Sequence, residues 1–394
     1  MKTGERDHSR SASISRLIFW RKLLNRLAAD DLSEANTLRL LTTLRKEYSP
    51  ENAGAALELA RLRLKAVGKF GDDAPRMFFT RDALEQASDP LIRQWRAGQT
   101  RSGMALIDAC CSIGSDALAF AQAGAIVTGL DIDPARIQMA RLNARALGIY
   151  ASFETADVRE GMLRSEMIFF DPGRREGEKR IHQVEAYQPP LKTLKGWDAE
   201  RIIVKLSPGV DLGQLEAYGG ETAFVSVDGD LKEAQLTLIR GQSIASRRAV
   251  LLLPNKMMEW QQGEDIAQSR LSEPLQYMIE PDPALIRAGL VTDAAIEWDA
   301  YQLDETIAYL TADDAPQSEW ARAWRVQEWM PFNVKRMREV LRARGIGQVT
   351  VKKRGTAVTP EALMAQLKLK GNNKAVLILT RLQWAQIVLL CEEP

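Results

Sequence analysis

Four short apolar stretches of this chain each end at an acid. The first runs into Asp108-Ala109-Cys110-Cys111-Ser112-Ile113-Gly114-Ser115-Asp116, the second ends at Asp131-Ile132-Asp133, the third at Ala156-Asp157-Val158 and the fourth at Phe169-Phe170-Asp171-Pro172-Gly173-Arg174-Arg175. A fifth ends without an acid, at Val204-Lys205-Leu206-Ser207-Pro208-Gly209. If these stretches are neighbouring strands, their carboxyl ends meet at the edge where open α/β sheets bind nucleotides. There Asp131 can accept from both ribose hydroxyls, Asp157 from an adenine amino group, and Asp108 can attract an ammonium. The Asp-Pro and Ser-Pro turns, each followed by glycine, aim rigid loops at a reacting group. Lys205 has no partner nearby in sequence, and because an unpaired buried lysine is costly, an active-site role is expected for it. Between Gly173 and Pro190, Arg174, Arg175, Lys179, Arg180 and Tyr187 could grip phosphate and stack a base. The plain alternatives are a helix cap for Asp157, a proline turn for Asp171 and a solvated surface loop for the basic stretch.

The spacing from Gly114 to Asp131 is compatible with a dinucleotide fold, so a nicotinamide enzyme has to be weighed first. A pyrophosphate needs three glycines to bring backbone amides close at a helix N-terminus. This loop offers Ser112, Gly114 and Ala117 instead, and Asp116 adds a negative charge. S-adenosylmethionine has the same nucleoside but no phosphates, and its ammonium welcomes a carboxylate. The loop therefore favours that sulfonium cofactor.

The elements that must position these residues follow from the apolar pattern. Ala105 to Ala109, Ile126 to Leu130, Ala151 to Thr155, Met167 to Phe170 and Ile202 to Leu206 read as strands. The helix-forming stretches Asp116 to Gln122 and Pro134 to Leu147 lie between them, the signature of a parallel sheet with crossover helices. Thr222 to Val227 and Ala234 to Ile239, joined through Asp228-Gly229-Asp230, predict an antiparallel hairpin. A parallel sheet closed by one antiparallel hairpin is the Rossmann-like shape of class I methyltransferases. Ahead of it, leucines at helical spacing from Ser13 to Lys69 predict a helical domain, and Thr80 to Arg96 reads as one further helix. Residues 1 to about 12 are expected to be disordered. The expected division is a helical domain over 1–69, a catalytic domain over 70–242 and a second α/β domain over 243–394. In that last part the pattern predicts strands at 249–253, 325–329, 349–352, 376–379 and 386–390, and helices at 283–288, 333–344 and 360–369.

At 394 residues, 45% hydrophobic and 27% charged, the composition excludes disordered and fibrous classes. The longest apolar runs fall far short of the roughly 18 to 20 residues of a membrane span. Three cysteines cannot make a disulfide framework, and His8 and His182 leave almost no material for a zinc site, so a cytoplasmic protein without a metal is expected. Net charge is +1, but its distribution is uneven. Phe332 to Lys374 holds eleven basic residues against two acidic, and Glu264 to Glu319 thirteen acidic against two basic. The two blocks either neutralise each other or present a polyanion-binding face centred on Lys352-Lys353-Arg354.

The run DACCSIGSDALAFAQAGAIVTGLDIDPARIQMARLNA, with TADV, FFDPGRR, VKLSPG and the hairpin containing Lys232-Glu233-Ala234, resembles the class I S-adenosylmethionine-dependent methyltransferases. More narrowly it is similar to the bacterial group with a C-terminal THUMP-like domain, whose catalytic part resembles the trimethylguanosine synthases. YMIEPDPALIRAGL, DETIAYLTAD, PFNVKRMREVL, VKKRGTAVTPEAL and AVLILTR look like the THUMP-like part. The resemblance implies cofactor contacts from Asp108, Gly114, Asp131 and Asp157, with Cys110, Ser112, Ile132 and Val158 beside them, and from the segment Phe78-Phe79-Thr80. It implies that Asp171 and Pro172 face an acceptor amine and that RNA is the partner, and the basic loop read above makes Arg174 and Arg175 the expected substrate contacts. Two departures stand out. Ser112 replaces the first glycine, which is tolerable while its backbone stays in a region open to L-residues. Asp-Pro-Gly-Arg replaces the Asp-Pro-Pro-aromatic motif of amino-methylating enzymes. The expectation is an RNA base-nitrogen methyltransferase. A small-molecule methyltransferase and a non-catalytic RNA-binding factor are the alternatives, and the oligomeric state is left open.

Overall fold

Five helices start with the same device, a capping side chain followed by a proline in the first turn, where its missing N–H costs nothing. Ser49-Pro50, Asp89-Pro90, Asp133-Pro134, Asp282-Pro283 and Thr359-Pro360 each place the cap oxygen on a backbone amide of that turn. The computed structural model describes residues 22–27, 29–176, 179–242, 245–263 and 270–392. The disorder expected for residues 1 to about 12 falls outside them, as does His8. The chain divides into two units, residues 1–203 and 204–394.

In the first unit, residues 22–27, α1 (Thr37–Leu44) and α2 (Pro50–Phe70) lead into α3 (Arg81–Gln86) and α4 (Pro90–Ala97). The single helix expected from Thr80 to Arg96 is thus two. Asp89 caps the second one with a 2.9 Å bond from the Leu91 amide, and Pro90 cannot continue the first. Next come β1 (Ala105–Ala109), α5 (Ser115–Gln122), β2 (Ile126–Asp131), α6 (Pro134–Leu147), β3 (Ser152–Thr155) and β4 (Arg164–Phe170). β1 pairs in parallel with both β2 and β4, and β2 with β3, as the alternating pattern requires. Leu23, Leu57, Leu84, Phe120, Phe153, Phe169 and Ile203 belong to one buried cluster, so the N-terminal helices share a core with the sheet. The boundary read at residue 69 has no counterpart in that core.

β5 (Asp198–Leu206) leads out of the first unit, the division falling after Ile203. In the second unit β6 (Glu221–Val227) and β7 (Asp230–Ile239) form the expected antiparallel hairpin. Asp228 and Gly229 take φ of 51° and 79° in its two-residue turn, which suits the right-handed twist of the strands. β8 (Ser246–Leu253) pairs in parallel with β6 and antiparallel with β9 (Lys256–Gln261), a strand the sequence reading missed. β10 (Tyr277–Pro281), α7 (Pro283–Ala288), α8 (Val291–Glu297), β11 (Tyr301–Gln302), β12 (Leu310–Ala312) and β13 (Ala321–Pro331) follow. The unit ends with α9 (Val334–Ala343), β14 (Ile346–Lys353), α10 (Pro360–Leu367), β15 (Asn373–Leu382) and β16 (Ala385–Cys391). Its second sheet has the order β11-β12-β10-β13-β16-β15-β14. Met337, Leu341, Leu363 and Leu367 of α9 and α10 pack on it with Leu377 and Leu390. Among the described residues no helix is long and apolar enough to cross a membrane.

Candidate active site

After β1 the chain makes a tight loop in an unusual backbone state. Cys110, Ser112 and Gly114 have φ of 71°, 51° and 84°. For two L-residues this left-handed geometry costs on the order of 1 to 2 kcal/mol each. Ser112 thus adopts a glycine-like conformation outright. Hydrogen bonds hold it there: the Cys111 amide donates to the Leu130 carbonyl at 2.8 Å, and the Gly114 amide to that of Cys111 at 2.8 Å. Asp131, buried at the end of β2, accepts from the Ser112 amide through Oδ2 and from the Asp133 amide through Oδ1, both at 2.9 Å. Both bonds come from backbone, so each oxygen keeps a lone pair. Ile132 beside it is exposed and Val158 buried. Phe153 of β3 sets the space under the loop. A Cβ on Gly114 would lie 3.1 Å from its ring, and one on Gly129 would lie 2.6 Å from it.

Asp108 is 1% exposed, and neither carboxylate oxygen has a hydrogen-bond partner of full geometry among the described residues. Burial, then the charges of Asp116 and Asp171, push its carboxyl well above the ordinary range, while Arg96 and the Ala117 amide pull the other way. Burial first, then the charge of Asp131 at Cys110 and of Asp108 at Cys111, also pushes both thiols up, which disfavours the thiolate. Asp116, in the first turn of α5, is buried against Arg96 of α4, which is fully buried. Its charge is therefore neutralised locally, which corrects the expectation that it would repel a phosphate. What argues against a pyrophosphate is the missing glycines.

Asp157 is gripped by Arg159, whose side chain and backbone amide bond the carboxylate and hold it at about 2. The Asp171 amide donates to the Ala109 carbonyl at 3.2 Å, which ties the end of β4 to the end of β1. Asp171 and Arg174 are half-buried and Pro172 is buried. Gly173 and Gln188 exchange backbone bonds of 2.8 and 2.9 Å, and the Arg175 side chain lies outside the described residues. Tyr187 is 1% exposed and cannot stack a base from that position, contrary to expectation. Phe79 packs against Phe70 with ring centroids 5.2 Å apart, and Thr80 caps α3 through the Ala83 amide. Their side chains are spent in the scaffold, leaving backbone for any ligand.

In the second unit, Lys205 is buried but not without partners, which corrects the unpaired lysine read from sequence. Arg287 of α7 donates to the carbonyls of Pro208 and Val210 at 3.2 and 2.7 Å and so fixes the Ser207-Pro208-Gly209 turn. Lys352 bonds Glu280 at 2.5 Å with its ammonium 4.6 Å from the Trp324 ring centre. Arg354 lies 3.7 Å from the same carboxylate and over Tyr309. Two members of the expected phosphate-binding triplet thus share one carboxylate of the acidic block, and of the three residues Lys353 is the exposed one.

Residues 321–393 match the THUMP domain-like family, and residues 21–66 match a domain of unknown function. An uncharacterized S-adenosylmethionine-dependent methyltransferase of Mycobacterium tuberculosis (strain CDC 1551 / Oshkosh) is 33% identical over 337 residues, which cover 83% of this chain and 92% of the relative. The chain belongs to the S-adenosylmethionine-dependent methyltransferases. This methyltransferase is also 35% identical over 91 residues to an uncharacterized RNA methyltransferase of Parasynechococcus marenigrum (strain WH8102), covering 22% of this chain and 20% of that one. Its fold is that of a crystal structure from Porphyromonas gingivalis W83 described as a methyltransferase, with TM-score 0.74, 19% identity and coverage of 91% and 98%.

The loop of this methyltransferase fits its methyl donor. A buried carboxylate lacking partners of full geometry suits an ammonium, an acid bonded only to backbone amides suits ribose hydroxyls, and the buried Ser112 Oγ also has no partner among the described residues. Sequence reasoning missed Asn143 of α6. It is fully buried, accepts from the Phe78 amide at 2.7 Å and donates to the carbonyls of Phe78 and Ile113 at 3.1 Å each. One amide thus joins the 78–80 segment to the loop. Arg96 was missed too. An asparagine or arginine inside a helical pattern gives no local signal of such a contact.

Proposed function

We propose that this methyltransferase acts on RNA at a base nitrogen, with residues 70–242 as the catalytic part, comparable to that of the trimethylguanosine synthases. The observation that carries the reading is the match of residues 321–393 to the THUMP domain-like family, in a domain that exposes Lys335, Arg336, Arg342, Lys370 and Lys374. The partial likeness to an RNA methyltransferase supports it. Those cations, with Lys353, replace Lys352 and Arg354 as the residues for phosphates.

On this reading Asp131 holds the ribose hydroxyls, Ile132 and Val158 flank the adenine, Asp157 accepts from its amino group, and Asp108 faces the ammonium. Gly114, Cys110 and Ser112 shape the loop, and the backbone of Phe79 and Thr80 closes the other side. When bound, S-adenosylmethionine supplies a methyl group on a sulfonium, open to displacement by a nitrogen lone pair. Asp171 and the Pro172 carbonyl accept from the acceptor N–H groups and turn that lone pair toward the methyl. The proton lost from nitrogen passes to Asp171 or water. Lys205 supports the neighbouring strand end, and Arg174 and Arg175 grip backbone phosphate. Such catalysis is mostly positioning.

Comparing modified nucleosides by mass spectrometry, in total RNA from cells with and without the protein, tests the proposal. One methylated base absent without it, restored by the parent and not by Asp171→Ala, supports it. An unchanged nucleoside set removes RNA as the substrate. Loss of S-adenosylhomocysteine affinity and of stability together in Asp171→Ala would return that residue to a turn role.

A further inference from the structure

Two hairpin turns of the second unit hold both central residues at positive φ, and they are built from very different residues. Asp228-Gly229 suits that geometry. The turn between β15 and β16 uses Gln383 and Trp384 instead, at φ of 43° and 77°. A bulky L-residue is strained in this region and persists there only where its surroundings fix it. Here they do. The Leu303 carbonyl accepts from the Gln383 amide at 3.2 Å, and Asp304 accepts from the Trp384 amide at 3.1 Å. Asp304 is 2% exposed, and its other oxygen accepts from the amide and the hydroxyl of Thr306 at 2.9 and 2.6 Å. Arg381 of β15 donates to that hydroxyl at 2.6 Å and lies 3.8 Å from Asp304, with its guanidinium 5.4 Å from the centre of the Trp384 ring.

All of this holds outward a side chain that the fold does not pack. Trp384 is 70% exposed, and among the described tryptophans it is the exposed one, the others being buried or half-buried. An indole backed by a guanidinium and open on its remaining surface has the form of a stacking platform for a nucleic-acid base. Asp304 and its exposed neighbour Glu305 make the support of the turn acidic, so an uncharged base is favoured at the ring over a phosphate. A cation for the phosphate stands further along. β14 runs parallel to β15 and ends at Lys353, opposite Leu379, so this exposed lysine lies at the same end of the sheet, roughly 10 Å short of the turn. We propose that Trp384 stacks one unpaired RNA base while Lys353 takes a phosphate of the same strand. This rests on the reading of RNA as the partner and narrows it: the segment at Trp384 is single-stranded, because bases inside a duplex stack on one another and offer no free face.

The experiment follows fluorescence anisotropy of three labelled RNAs of equal length as the full chain is added: a mixed-sequence single strand, that strand annealed to its complement, and an abasic single strand. Titrations run at several salt concentrations, alongside melting curves. The parent is expected to favour the single strand over the abasic one. Trp384→Ala should weaken single-strand binding about tenfold, the scale of one base-aromatic stack, and erase that preference. Its affinity for the other two RNAs should stay within twofold, and its salt slope should not move. Trp384→Phe, which keeps a ring, should return to within threefold of the parent. Trp384→Gly should bind as Trp384→Ala does and melt no lower than the parent, since glycine adopts positive φ without strain. Lys353→Glu should flatten the salt slope of single-strand binding by about 0.7 log units; an unchanged slope removes Lys353 from the site. Equal weakening for all three RNAs, or a lower melting temperature without selective loss of the single strand, overturns the proposal and makes Trp384 a turn residue. A change confined to self-association in sedimentation also overturns it, by making Trp384 a contact between copies. Should Trp384→Ala fail to fold, the phenylalanine and glycine variants decide. If the parent binds none of the three RNAs, the reading of RNA as partner fails. If it binds them and no Trp384 variant changes that binding, only the present inference fails.

Discussion

The two units contain two clusters of partly or fully buried charge, and they are built on opposite terms. Around Glu280 the carboxylate is fully engaged: Lys352 and Arg354 share it, and each lies over an aromatic ring. Around Asp108 it is not. Among the described residues its carboxylate has no partner of full geometry and Ser112 Oγ has none, and two L-residues of the adjoining loop sit at positive φ. A cluster satisfied by its own chain stabilises a fold, whereas one left open and strained is kept for something that binds.

The largest effect that tests this contrast is at Asp131. Replacing it with alanine removes charge-assisted hydrogen bonds worth about 1.5 to 3 kcal/mol. A tenfold to hundredfold loss of S-adenosylhomocysteine affinity is expected by calorimetry. Equal binding would erase the contrast, because the open cluster would then serve no ligand.

Asp108→Asn sharpens it from the other direction. The folded carboxyl titrates above its unfolded value, so it contributes stability that is full below the unfolded value and fades as pH rises through the folded one. Replacing it should therefore flatten the pH dependence of melting, with the variant gaining on the parent as pH rises because only the parent can acquire a buried charge. A destabilised variant would mean that Asp108 has a partner in solution.

Glu280→Gln should do the reverse, lowering stability by about 1 to 2 kcal/mol because two half-buried cations lose their partner. Donor affinity should not move. The smallest effect separates surface from structure. Replacing Lys335, Arg336 and Arg342 by glutamate should flatten the salt dependence of RNA binding by about 0.7 to 0.9 log units for each phosphate no longer neutralised. Replacing Lys352 and Arg354 should lower the melting temperature and leave that slope alone. The opposite outcome would restore the triplet as the RNA-binding surface.

Much of this was legible in the sequence, and what was not has a common cause. The first β-strand, the antiparallel pairing of the hairpin and the helix starts at Pro283 and Pro360 are local patterns, and they stand as read, though the second hairpin strand begins at Asp230 and not at Ala234. The strand-end acids were legible because the parallel sheet has one carboxyl edge. The partners that decide what those side chains do lie far along the chain. Asn143 bonds Phe78 across 65 positions, Arg96 reaches Asp116 across 20 and Lys352 reaches Glu280 across 72. Periodicity reports which face of an element is apolar and nothing about which distant charge meets it, so a run such as Lys352-Lys353-Arg354 looked like one surface when it is not.

Phe153 carries a consequence for the history of this loop. Its ring occupies the space that a side chain on Gly129 would need, and it crowds the one on Gly114. No alanine can enter at Gly129 while that ring is in place, so the order of substitutions matters: the edge strand must trade its phenylalanine for something smaller first. Gly114, held at a φ of 84°, gains little even then. Position 129 of β2 and position 153 of the neighbouring edge strand are therefore expected to change together, so that lineages that differ at 129 differ at 153.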